Sequence, residues 1–171
     1  LGDVYKRQPC DFTYTGIKND TTRNMIADAK WSLLGWLDEG VNVYADQSYK
    51  LENTSGTVYT GNKTSWTGKI ALPYPSDYAY SAYLGKCTST LGEYSNCSSW
   101  MKTMFNSKTI ALLTPIVSSS FVFHVAGGCL DLGEPYAALD SEIFPTLYLN
   151  ANVSIKTGSG TLNSPYQLSV G

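Results

Sequence analysis

The first clear hydrophobic pattern along the chain predicts a helix from Thr21 to Leu37. Its apolar residues recur at steps of three and four positions, as they do on one face of a helix. They are Met25, Ile26, Ala29, Leu33 and Trp36. Asp20, Thr21 or Thr22 is suited to cap the start of this helix, and Gly35 and Gly40 supply glycines for its end.

Beyond this helix, the pattern changes several times. Val41 to Thr60 shows short alternating stretches and polar turns, Trp66 to Tyr74 is typical of a strand ended by prolines, and Ser76 to Leu84 is again helical. We expect Ser76 or Asp77 to cap that helix. A second short helix is predicted from Ser98 to Phe105.

Short apolar runs bounded by glycine turns predict strands in the second half of the chain. They cover Ile110 to Leu113, Phe121 to Ala126, Pro145 to Leu149, Val153 to Ile155 and Tyr166 to Val170. Gly127-Gly128 and Gly158-Ser159-Gly160 are the predicted turns. Early helices followed by late strands favour an α+β fold, a mixed class in which helices and an antiparallel sheet occupy separate regions.

Composition indicates one globular domain of the secreted type. The 171 residues are 43% hydrophobic, only 15% are charged, and 13 are tyrosine. With a net charge of −2 and no basic patch, the sequence predicts that the protein does not bind nucleic acid. No apolar run is long enough to span a bilayer, so we predict no membrane contact by this domain. We therefore expect an extracellular or cell-surface location.

Four cysteines fit an oxidising compartment. Cys87 and Cys97 enclose a short polar loop, so a disulfide between them is the natural pairing. Cys10 and Cys129 pair next, or Cys129 is instead a buried free thiol. The spacing includes no C-x-x-C motif, so we predict neither a zinc site nor another cofactor.

Catalytic chemistry finds little support in the sequence. His124 is the one histidine, and its parity in the run Phe121 to Val125 puts it on the less buried face of a strand. No serine lies in a nucleophile-elbow pattern, and the acidic residues are scattered. We therefore predict no catalytic residue, no metal ligand and no enzymatic activity.

Tyrosines cluster around the proline-bounded strand and supply the candidate binding residues. Aromatic faces stack on sugars or anchor protein interfaces, although such residues also build cores. The candidates for binding a protein or glycan ligand are Tyr74, Tyr78, Tyr80 and Tyr83.

Several segments together resemble a family of uncharacterised C-terminal domains in surface and pilin-like proteins of gut Bacillota. The matching segments are Ala29 to Leu33, Trp66 to Leu72, Tyr74 to Tyr80, the Cys87 to Cys97 loop with Trp100, Leu113 to Pro115, Pro145 to Leu149, Gly158 to Thr161 and Ser164 to Tyr166. The resemblance implies a displayed, non-enzymatic binding or structural module.

More distantly, Lys69 to Ala82 and Leu113 to Leu149 resemble the C-type-lectin-like fold, in the branch that contains sulfatase-modifying enzymes. This resemblance leaves two alternatives open, a carbohydrate-binding adhesion domain and a degenerate relative of those enzymes. Fold similarity alone does not transfer function. The calcium motif of sugar-binding lectins is not matched, because Glu134-Pro135 is followed by Tyr136.

The first eight residues, Leu1 to Gln8, resemble translated sequencing-adapter DNA. This resemblance implies a gene assembled from metagenomic reads. We therefore expect residues 1–8 to be a foreign tail and residues 9–171 to form the single α+β domain.

Overall fold

The computed structural model describes residues 17–37, 41–58, 60–82, 87–105, 108–117, 122–133, 142–161 and 163–171. These residues form a mixed α+β fold, as the sequence predicts. The helical segments are α1 (Asp20–Asn24), α2 (Ala45–Lys50), a π-helical turn (Leu51–Ser55), α3 (Pro75–Tyr80), a 3-10 helix (Leu91–Asn96) and α4 (Trp100–Phe105). Within these ranges, no helix has the length and apolar character needed to cross a membrane.

Strands in the described ranges form four small antiparallel sheets. In chain order they are β1 (Ala29–Ser32), β2 (Ser65–Gly68), β3 (Ile70–Ala71), β4 (Ile110–Pro115), β5 (Val122–Ala126), β6 (Cys129–Gly133), β7 (Thr146–Leu147), β8 (Val153–Thr157) and β9 (Gln167–Val170). The sheets pair β1 with β2, β3 with β7, β4 with β5 and β6, and β8 with β9.

The main core lies on the three-stranded sheet β4–β5–β6. Alternate residues of β4 and β5 point inward, and Ile110, Phe123 and Val125 are almost fully buried. Trp36 packs on Phe123 with ring centroids 4.5 Å apart. The predicted turn at Gly127-Gly128 joins β5 to β6, and both glycines have positive φ, as a two-residue hairpin turn of type I′ requires.

A smaller core forms around Trp31 of β1. Trp31 is 1% exposed, and its indole Nε1 donates a hydrogen bond to the Gly68 carbonyl at 2.8 Å. The chain near β7 closes this core, because Ile26 bridges Leu149 and the Ala27 amide donates to the Tyr148 carbonyl. The second core therefore links the beginning of the chain to its last third.

The predicted helix from Thr21 to Leu37 is wrong beyond Asn24. Residues 29–32 are strand β1, which pairs with β2 in the register Trp31 to Trp66. Gly35 then runs beside Pro115, where an added Cβ would lie 1.9 Å from the Pro115 carbonyl oxygen. These pairings with distant segments override the local helical spacing, which periodicity alone does not detect.

The other predicted helices and strands are confirmed in part. Helices α3 and α4 and strands β4 and β5 are present where expected, whereas the polar stretch Val41 to Thr60 contains α2 and the π-helical turn. The strand predicted from Trp66 to Tyr74 is divided at Lys69, because β2 pairs with β1 and β3 pairs with β7. The chain changes partner at this point, so one predicted strand becomes two.

The start of α3 also differs from the prediction of a Ser76 or Asp77 cap. Tyr74 is the N-cap residue and Pro75 begins the helix, where proline is well tolerated. Asp77 accepts a hydrogen bond from the Tyr74 amide through Oδ2 at 2.9 Å. Helix α2 begins in the same way, since Gln47 accepts from the Tyr44 amide.

A disulfide joins Cys87 and Cys97, with their Cα atoms 5.4 Å apart. This is the pairing that the short loop favours. Cys129 is half-buried in β6 and forms no disulfide with a described residue, and Cys10 lies outside the described residues. The pairing of Cys10 with Cys129 stays a prediction.

Thr114 of β4 generates a stability prediction. Its side chain is fully buried, and its hydroxyl has no hydrogen-bond partner among the described residues. An unsatisfied buried hydroxyl costs about 1–3 kcal/mol. We expect Thr114→Val, which replaces the hydroxyl by a methyl group, to raise the free energy of unfolding by about 1 kcal/mol in urea denaturation.

Thr114→Ser is the matched control, because it keeps the hydroxyl and removes the methyl group. We expect it to lower stability by about 1 kcal/mol through the lost packing. If Thr114→Val is instead the destabilised variant, the hydroxyl has a stabilising partner and this assignment is wrong.

Candidate functional site

The four tyrosines predicted as binding residues differ in how deeply they are buried. Tyr80 is exposed and Tyr74 is half-buried, whereas Tyr78 is fully buried and its hydroxyl donates to the Gly128 carbonyl at 2.8 Å. Tyr78 is therefore a core residue, and its assignment to a binding surface is corrected. It faces the core with Ala79, because these positions of α3 point toward the main sheet. Tyr83 lies outside the described residues.

Two further tyrosines join Tyr80 at the surface. Tyr49 of α2 meets Tyr80 edge-to-face, with ring centroids 6.3 Å apart. The Tyr148 hydroxyl lies within electrostatic range of Tyr49 and Asp77. We call Tyr49, Tyr80, Tyr148 and Asp77 the tyrosine surface. The three rings are 54%, 47% and 55% exposed, respectively, so each presents about half of its area to solvent.

Buried aromatic residues hold the tyrosine surface from below. Trp31 stacks on Tyr148 with ring centroids 5.1 Å apart, and its centroid is 6.3 Å from that of Tyr74. The Tyr74 hydroxyl donates to the Ser32 carbonyl at 3.0 Å. Because Trp31 is itself fixed by its bond to Gly68, Tyr148 rests on a rigid support rather than on a mobile side chain.

Asp77 gives the tyrosine surface its one negative charge. Its Oδ2 accepts a hydrogen bond from the Tyr74 amide, and its Oδ1 makes no hydrogen bond with a described residue. Surrounding protein raises the pKa of Asp77 and the Tyr74 hydrogen bond opposes that effect. The residue as a whole is exposed to solvent. Partial burial, followed by the nearby Asp77, raises the pKa of Tyr148.

A buried carboxyl group lies beneath this surface. Glu52, in the π-helical turn that continues α2, is 0% exposed. Its Oε1 accepts the Ser76 amide at 3.0 Å, and its Oε2 is in hydrogen-bond contact with the Ser76 hydroxyl. The Glu52 carbonyl accepts a hydrogen bond from the Ser32 hydroxyl. One residue therefore connects the π-helical turn, the first turn of α3 and the end of β1.

Glu52 is protonated at neutral pH. Burial raises the pKa of its carboxyl to about 8, against the opposing effect of the two Ser76 hydrogen bonds and with a small further rise from Asp77. No basic side chain in the described ranges forms an ion pair with Glu52. A raised carboxyl pKa is also a property of general acids, but the side chain has no solvent-exposed area through which a substrate could reach it.

The raised pKa of Glu52 predicts an unusual pH dependence of stability. Between the ordinary carboxyl pKa and about 8, the unfolded chain releases this proton and the folded chain keeps it. Stability therefore falls as pH rises through this window, by about 1.4 kcal/mol per pH unit and about 5 kcal/mol in all. We expect urea denaturation to show the chain less stable at pH 8 than at pH 5.

Glu52→Gln isolates this effect, because glutamine imitates the protonated acid and keeps both contacts with Ser76. The variant should match the wild type near pH 5 and exceed it in stability near pH 8. Equal pH dependence in the two proteins would show that Glu52 titrates normally in the folded state.

His124 belongs to the main sheet rather than to this site. It lies on the less buried face of β5, directly opposite Asp131 of β6. Burial lowers the pKa of His124, and the negative charge of Asp131 opposes this effect. The residue is therefore a cross-strand neighbour within a sheet.

The chain also has a shallow cleft of about 350 Å³ beside the π-helical turn. Trp36, Leu37 and Leu51 supply its apolar side chains, and Gly35, Ser55, Gly56 and Thr57 complete its lining. None of these residues has a titratable side chain. In the described part of the chain, no three metal-binding side chains group together.

Comparisons with protein-family models, curated proteins and solved structures found no match to this chain. Tyr80 is among the residues predicted from the sequence, whereas Tyr49, Tyr148 and Glu52 are not. The first two come from segments distant in the sequence, and neither has a local signal that separates it from a core tyrosine.

Proposed function

We propose that this chain is a non-enzymatic binding module displayed at a bacterial cell surface, as part of an envelope or pilin-like protein. Its low charge, abundant tyrosine and disulfide support an extracytoplasmic location. The resemblance to surface and pilin-like proteins of gut Bacillota supports the same context. The tyrosine surface carries the proposal that the module binds a ligand.

Exposed aromatic rings on a rigid support are suited to recognition. Tyrosine offers a large contact area at low conformational cost, together with a hydroxyl group for hydrogen bonding. Tyr148 has its ring stacked on buried Trp31, and Tyr49 and Tyr80 hold each other edge-to-face. A ligand would therefore meet rings that are already positioned, which lowers the entropy lost on binding.

A carbohydrate is the ligand class that this chemistry favours. Sugar rings present apolar C–H faces to aromatic rings and hydroxyl groups to polar acceptors. In the tyrosine surface, the Asp77 Oδ1 atom is an acceptor for such hydroxyls, and the tyrosine hydroxyls are hydrogen-bond donors. The negative charge of Asp77 disfavours acidic sugars, so we propose a neutral glycan.

We also propose a C-type-lectin-like arrangement for the domain. The order of its elements supports this proposal, since helices α1 to α4 precede the three-stranded sheet β4–β5–β6. The proposed sugar contacts use aromatic rings and Asp77, and they need no calcium ion. Calcium dependence therefore separates this proposal from the usual chemistry of sugar-binding C-type lectins.

A glycan array tests the proposed function. We expect the chain to bind neutral glycans equally well with calcium and with EDTA. Tyr148→Ala and Tyr80→Ala should each weaken binding about 10-fold or more, as the removal of central aromatic contacts does at other interfaces.

Tyr166→Ala is the matched control, because Tyr166 is similarly exposed at 53% but precedes β9, with its ring beside Gly160. It should leave binding unchanged. Binding that is lost in EDTA would place the sugar on a calcium site instead. If no glycan is bound under either condition, the carbohydrate proposal is wrong.

A further inference from the structure

The Glu52–Ser76 contact joins the two helices that present the tyrosine surface. Glu52 follows directly after α2, which contains Tyr49. Ser76 lies in the first turn of α3, which contains Asp77 and Tyr80. The edge-to-face contact of Tyr49 with Tyr80 therefore spans the same helix pair that the buried hydrogen bonds hold together.

Ionisation of Glu52 would place a negative charge in this buried contact. The titratable groups that interact with Glu52 are Asp77 and Tyr74, both near the start of α3, and neither supplies a positive charge. From β1, the uncharged Ser32 hydroxyl contacts only the Glu52 carbonyl. Only the amide and hydroxyl of Ser76 would form hydrogen bonds with the ionised carboxylate. A buried charge without an opposite charge beside it is strongly unfavourable.

Water is the remaining source of compensation for this charge. It can reach the Glu52 carboxylate only if the π-helical turn separates from the first turn of α3, because the side chain is fully enclosed in the closed arrangement. Separation would move α2 relative to α3 and would break the contact of Tyr49 with Tyr80. Neither Glu52 nor Ser76 belongs to the main core, whereas Tyr78 and Ala79 of α3 anchor that helix in it. We therefore expect the strands of the main sheet to keep their pairing while the π-helical turn moves.

We propose that the Glu52–Ser76 contact is a proton-dependent latch, which holds the tyrosine surface in its binding arrangement at acidic and neutral pH and releases it at alkaline pH. This inference rests on the proposed function for its biological consequence. The movement itself is a property of the chain without ligand.

Nuclear Overhauser effects between the rings of Tyr49 and Tyr80 test the latch without any ligand. They are measured on the whole chain at about pH 6, where Glu52 is protonated, and at about pH 9, where most of Glu52 is ionised. In the wild type, we expect the signal to fall by about half or more at the higher pH, as the open form becomes populated. The signal between Trp36 and Phe123, in the main core, is the internal reference and should stay constant.

Glu52→Gln should keep the Tyr49–Tyr80 signal at both pH values, because it has no proton to lose. If this variant does not fold, the wild type alone still tests the latch, because its loss of the Tyr49–Tyr80 signal must follow the titration of the Glu52 carboxyl. A signal that is unchanged in the wild type would overturn the latch, as would an equal loss in Glu52→Gln. Because no glycan is present, failure of the latch is distinguishable from failure of the proposed function.

Discussion

The buried hydrogen bonds between Glu52 and Ser76 are the interaction on which the candidate site depends. A carboxyl group without a cationic partner is stable in a protein interior only when it is neutral and hydrogen-bonded. Ser76 provides both contacts from the start of α3, and Ser32 binds the Glu52 carbonyl from β1. Without this pair, no described polar contact would hold the π-helical turn against the first turn of α3.

The tyrosine surface combines this polar anchor with an aromatic one. Glu52 and Ser76 set the positions of the helices that contain Tyr49 and Tyr80, while Trp31 supports Tyr148 from the second core. The surface therefore draws on α2, α3 and the chain after β7, three segments that are far apart in sequence. Such an arrangement exists only in the folded chain, which is why a recognition surface can be specific although each ring is an ordinary tyrosine.

Elements with local signals could be predicted from the sequence, and elements that depend on distant partners could not. The start of helix α3 is predicted to within one residue, and the turn between β5 and β6 is predicted from Gly127-Gly128, although strand β6 itself is not. By contrast, Trp31 has helical spacing with its neighbours but pairs with Trp66 in a sheet.

Only part of the candidate site could be predicted from the sequence. The tyrosine cluster around α3 pointed to Tyr80, but it also included Tyr78, which the helix turns toward the core. Glu52 lies in a polar stretch where a glutamate is normally solvated. Its burial results from the docking of α3 on the π-helical turn, which no local pattern of residues reveals.

The direct test of this account is the titration of the Glu52 carboxyl carbon by ¹³C nuclear magnetic resonance. If Glu52 is buried against Ser76 without a counter-charge, its resonance should change with a midpoint near pH 8. A midpoint near 4.5, the ordinary value for this group, would show that the carboxyl is solvated or paired and would contradict the account.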